Sequence, residues 1–88
     1  MNYVVWAAYD VMPNVFGYDE KMEQIAEELA IQYNAESGGS GSGFGQRDID
    51  WSIDNLEHAF QFRDALRANG FKAIVTDEEC ETIIEQKQ

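Results

Sequence analysis

Six apolar side chains set the first constraint on this chain. Met22, Ile25, Ala26, Leu29, Ala30 and Tyr33 recur at steps of three and four, so on a helix they share one stripe, while Glu20, Glu23, Glu27 and Glu28 take the other side. A helix of this kind holds in water only when its stripe is covered, so the rest of the chain must supply the cover. Asp19 is placed to cap its start, and Asn34 is a suitable stop. A second stripe follows at Leu56, Ala59, Phe62 and Leu66, with Phe60 and Ala65 on its flanks. Asp54, with Glu57 three residues on, gives this second helix a capping-box start, and Asn69 and Gly70 give it an end suited to a left-handed turn.

The segments between the stripes read as strands. YVVWAAY at 3–9 is β-branched and aromatic and apolar on both faces, which predicts a central strand ended by Asp10. RDIDWSI at 47–53 alternates strictly: Ile49, Trp51 and Ile53 point one way, Asp48, Asp50 and Ser52 the other. FKAIVT at 71–76 is the last clear strand. The run SGGSGSGFG at 37–45 has the composition of a flexible linker, yet no second domain of useful size follows it. Its place just before a clear strand predicts a poor strand plus the turn of a hairpin, with a mobile loop or an inserted linker as the alternatives. Beyond 76 the chain carries Asp77, Glu78, Glu79, Glu81 and Glu85 around Ile83 and Ile84. Thr76 with Glu79 favours a short helix there, a short strand being the other option.

The resulting order is βαββαβ. At 88 residues this is one domain, with a core over 1–76 and an acidic extension over 77–88. Over residues 1–76 the chain resembles the ferredoxin-like α+β class, in which two helices cover one face of a four-stranded antiparallel sheet. That resemblance implies that strands one and three are central and that the Gly-rich strand lies at an edge. The expected core packs Ile25, Leu29, Phe62 and Leu66 on Val4 or Val5, Trp6, Ile49, Trp51 and Ile74.

Charge then narrows the function classes. Seventeen Asp and Glu against six Lys and Arg give a formal net charge of −11, which disfavours direct contact with nucleic acid or an anionic membrane and favours a basic partner. A single cysteine, Cys80, excludes an internal disulfide framework and a Cys-based zinc cluster. No apolar run approaches the ~18 residues of a membrane span, and the first residues lack a signal-peptide pattern, so a cytoplasmic protein is expected.

No residue set carries catalysis. The one histidine, His58, stands beside Glu57 on the second helix and reads as solvated; Cys80 lies among Glu78, Glu79 and Glu81, where negative charge opposes a thiolate. Asp48 and Asp50 offer a hard cation two carboxylates on one strand face, but no EF-hand loop surrounds them, and the plainer reading is a solvated face. The Gly-rich run lacks the Lys and Ser or Thr of a phosphate loop, and Arg47 beside it is free to meet an anion, Asp48 or Glu36. The face bearing Asp48 and Asp50 lacks the basic and aromatic pattern of ferredoxin-like RNA-binding domains. Neither a cofactor nor a metal is expected.

Two features remain. One is the acidic surface: Glu20, Glu23, Glu27 and Glu28 on the first helix, with Asp48 and Asp50 as a separate patch. The other is the loop at 11–16, whose Met12 and Phe16 are candidate apolar anchors for a partner. In size, charge and fold type the chain is similar to small phage-encoded inhibitors, among them anti-CRISPR and anti-restriction proteins that imitate nucleic acid. The resemblance implies a non-enzymatic inhibitor occupying the basic groove of a nucleic-acid-binding protein, through Glu20, Glu23, Glu27, Glu28, Asp48, Asp50, Met12 and Phe16. The chain is expected to be a monomer or weak homodimer. The alternatives are a ferredoxin-like regulatory or structural module that self-associates through its weak edge strand, and a small metal- or ligand-binding domain.

Overall fold

The computed structural model describes residues 2–11, 19–43 and 45–85. Its elements are β1 (Tyr3–Asp10), α1 (Glu20–Gln32), β2 (Glu36–Gly43), β3 (Gln46–Ile53), α2 (Leu56–Ala68) and β4 (Lys72–Thr76). The four strands form one antiparallel sheet in the order β2-β3-β1-β4, which is the ferredoxin-like βαββαβ arrangement.

Both helices end on a residue that can turn left-handed. Asn34 (φ 58°) and Gly70 (φ 91°) each follow the C-cap residue, Tyr33 and Asn69. The next amides, those of Ala35 and Phe71, donate back to the carbonyls of Ala30 and Leu66 at 2.8 and 3.1 Å. The start of α1 is capped by Asp19, whose carboxylate accepts from the amides of Lys21 and Met22. The start of α2 is a correction: Asn55, not Asp54, is the cap, and its side chain accepts from the His58 amide at 3.0 Å. Asp54 lies one residue too early, directly after the last residue of β3, so Glu57 closes no capping box.

One face of the sheet carries the core. Val5, Ala7 and Tyr9 of β1, Ile49, Trp51 and Ile53 of β3, and Ala73 and Val75 of β4 pack with Phe62 and Leu66 of α2. Helix α2 lies on β1 and β4, and α1 packs beside it. The expected core needs correction at two positions, Trp6 and Ile74, and of the alternatives Val4 and Val5 it is Val5 that joins it. Register places Trp6 opposite Asp50 and Ile74, and Val4 opposite Ser52 and Thr76, so Val4, Trp6 and Ile74 belong to the face away from the helices. Because β1 is apolar on both sides, alternation alone could not tell its two faces apart.

The Gly-rich run forms the edge strand β2. Ser37 and Ser40 are three residues apart and would face opposite ways on a regular strand. A bulge between Ser37 and Gly39 restores them to one face, opposite Trp51 and Ile49, with Ser42 opposite Arg47. Gly39 and Gly41 fall on the other face, opposite Asp50 and Asp48. A Cβ at Gly38 would overlap the Asp50 carboxylate, so a larger residue there must displace it from the Gly39 amide that it accepts at 3.1 Å.

The segment after β4 is also a correction, since it turns rather than forming a helix. The Asp77 carboxylate accepts from the amides of Glu81 and Thr82, four and five residues ahead, a reach that closes a turn instead of capping a helix start. The chain then runs back beside β4: Thr76 and Ile83 form a bridge, and the Ile84 amide donates to the Val75 carbonyl at 2.7 Å. Ile84 packs against the core, so the folded unit extends past residue 76.

Candidate functional site

The acidic face of α1 is not one continuous ridge. Glu20, Glu27 and Glu28 are exposed, but Glu23 is drawn inward, its side chain only 18% exposed. Its Oε1 accepts from Arg47 Nη2 at 2.8 Å and Nε at 3.1 Å, and its Oε2 accepts the Tyr9 hydroxyl at 2.9 Å. Tyr9 Oη in turn accepts the Asp19 amide at 3.0 Å, and Arg47 Nη1 donates to Ser42 Oγ at 3.3 Å. This network ties the first turn of α1 to β1, β2 and β3. It corrects the expectation that Glu23 is a solvent position, and it shows Arg47 engaged by Glu23 across 24 residues of sequence rather than by Asp48 or Glu36. What remains on the ridge is Glu20 and Glu27, seven residues and about 10 Å apart, with Glu28 beside them.

Burial pushes the Tyr9 phenol up to about 12, with the Glu23 carboxylate adding to the rise and the Asp19 amide opposing it. A free tyrosine titrates near 10. Between those values the unfolded chain releases its proton while the folded chain keeps it, so stability falls as pH rises through that window. A spectroscopic titration of the phenolates is expected to show one tyrosine still protonated about two pH units above the free value, with the thermal midpoint dropping over the same range. All four tyrosines titrating together near 10 would contradict the network.

The second acidic patch lies on the open face of the sheet. Asp48 is exposed and Asp50 half-buried, and both carboxylates lean over the glycines of β2. Beside them Trp6, Ala8 and Ile74, with Lys72, line a shallow apolar depression of about 200 Å³. Met12 and Phe16 lie outside the described residues.

The three arginines are turned to the chain's own groups. Besides Arg47, Arg63 contacts the Asp64 carboxylate at 2.8 Å and lies over the Phe60 ring at 4.8 Å. Arg67 donates twice to the Ala73 carbonyl, at 2.7 and 3.0 Å, clipping the end of α2 to β4.

One feature was missed by sequence reasoning. Because β2 presents only serines toward α1, a groove of about 350 Å³ opens between them. Ala26, Ala30 and Ile31 form one wall, Ser37 and Ser40 the other, and Ile49 and Trp51 the floor, with Glu27 at the rim. Ile31 is 81% exposed, an unusual value for an isoleucine on a helix that has a buried face. The signal in the sequence was a strand of only Ser and Gly after Glu36, together with an isoleucine lying off the stripe. Among the described residues, no set of three or more His, Cys, Asp or Glu is arranged to hold a metal ion, and no helix is long and apolar enough to cross a membrane.

Compared with protein-family models, with curated proteins and with solved structures, the chain matches none.

Proposed function

We propose that this chain is a non-enzymatic, cytoplasmic binding protein that inhibits a nucleic-acid-binding protein by occupying its basic groove, in the manner of the small phage-encoded inhibitors it resembles. One observation carries the reading: the arginines are turned onto the chain's own carboxylates, rings and carbonyls, while Glu20, Glu27, Glu28 and Asp48 stand exposed. A surface of net charge −11 arranged in this way attracts clustered Lys and Arg and repels phosphate. The exposed carboxylates of α1 and of the open sheet face form two patches, and a groove shaped for a phosphate backbone would meet one of them first.

The test is capture from cell extract by the immobilised protein at low and high salt. Basic nucleic-acid-binding proteins should be retained at low salt and released by high salt or by added duplex DNA. Replacing Glu20, Glu27 and Glu28 by Gln together with Asp48 by Asn should lower their recovery severalfold while leaving the fold unchanged, since all four are exposed. Recovery that is indifferent to salt, to DNA and to this variant would overturn the reading.

A further inference from the structure

The outer side of β2 is the end of the sheet, and no described strand pairs there. Edge strands are commonly guarded by Lys, Pro or bulky charged side chains. After Glu36 this one has only Ser and Gly, and immediately beneath it lies the groove walled by α1. The edge and the groove are continuous, because Ser37 and Ser40 belong to both.

The two faces of a strand added at this edge would meet different chemistry. On the helix side its side chains would enter the groove, against Ala30, Ile31 and Trp51. On the open side they would lie next to Gly39 and Gly41. A Cβ at either glycine would sit 3.4 Å from an oxygen of Asp50 or Asp48, so these carboxylates reach over the glycine surface toward the edge. Strands are spaced about 4.8 Å apart, which brings both carboxylates within reach of a Lys or Arg on the incoming strand. A neutral apolar strand would leave them unanswered. A second copy of this chain would bring its own net charge of −11 to the same place.

We propose that the β2 edge and the groove under α1 accept an extended segment of a basic partner protein, in which apolar residues alternate with Lys or Arg. The inference rests on the acidic-binder reading and names the surface and the partner segment it uses. Main-chain hydrogen bonds to β2 supply the pairing, and the alternate side chains supply the selection.

The experiment uses the whole protein and a synthetic peptide as long as β2, with valine and lysine in strict alternation. Two control peptides have the same composition: one with the valines and lysines in separate blocks, the other N-methylated at every second amide. Amide shifts and affinity are read by NMR, at low and high salt. The alternating peptide is expected to perturb the amides of Gly39, Ser40 and Gly41 and the side chains of Ile31 and Trp51. Both controls are expected to bind about tenfold more weakly. So is the alternating peptide to Ile31→Gln, a substitution at an exposed position that leaves the fold intact. If all three peptides bind alike and weaken alike with salt, contact is by charge alone: strand addition is overturned and the acidic-binder reading stands. If the alternating peptide alone binds but salt has no effect, the edge site stands and the charge reading falls. Concentration-dependent broadening of the β2 amides without peptide, with a doubled mass, would assign the edge to a second copy and overturn the proposal.

Discussion

Replacing Phe62 by Ala is expected to cost about 3–5 kcal/mol, a large share of the roughly 5–15 kcal/mol that holds a small domain together. Phe62 has no exposed surface, and it joins the two helices to the sheet. Its ring meets Trp51 of β3 edge-on, with centroids 4.9 Å apart, and Tyr33 at the end of α1 at 6.0 Å. Truncation would open a cavity that the backbone around Ala59 and Leu66 cannot close, because both are fully buried. Leu29→Ala is expected to cost less, since Leu29 is only half-buried at the margin of the core. Urea unfolding followed by tryptophan fluorescence measures both. A loss below about 1 kcal/mol at Phe62 would mean that the helices are not docked through this ring.

The parts of the fold that were legible are those written in local periodicity. The stripe from Met22 to Tyr33 and the alternation at Ile49, Trp51 and Ile53 each state which side is buried, and the core lies on those sides. Two capping details show the limit of local reading: Asp19 caps as expected, but Asn55 displaces Asp54 because β3 continues to Ile53. Strand β1 was legible as central but not in orientation, since Val4, Trp6 and Ala8 are as apolar as Val5, Ala7 and Tyr9. The bulge in β2 could not be read at all. It depends on Asp50 of a different strand taking the Gly39 amide, and glycine carries no pattern of its own. The candidate surface was legible in its charge and not in its shape. Helical spacing puts Glu23 in line with Glu20 and Glu27, but only the tertiary structure brings Arg47 and Tyr9 to it, and only the smallness of the serines leaves a groove beside it.

Charge reversal at Glu23 and at Glu27 should therefore have very different effects, although the two residues are one helical turn apart and both lie on the acidic side of α1. Glu23→Lys places an ammonium against the Arg47 guanidinium and deprives the Tyr9 hydroxyl of its acceptor. The Arg47 side chain is only 16% exposed, so water screens that repulsion poorly. With its hydrogen bonds to Glu23 gone, the guanidinium still keeps its charge, because arginine is not deprotonated in a protein. Removing one partner of a buried pair costs about 3–5 kcal/mol; with this pair partly open to solvent the expected loss is about 2–3 kcal/mol. A positive charge in the first turn of α1, which now holds Glu20 and Glu23, adds a few tenths of a kcal/mol through the helix dipole. Glu27→Lys meets no such network and should stay within about 0.5 kcal/mol of the parent. Denaturant midpoints of the two variants check this split, and those of Glu23→Gln, of Arg47→Met and of the two combined give the coupling directly. Two midpoints equal within error would dissolve the network and return Glu23 to the exposed ridge. The predicted split instead gives binding studies a rule: charge at Glu20, Glu27, Glu28 and Asp48 is open to reversal for probing a partner, whereas any loss of binding at Glu23 must first be corrected for loss of fold.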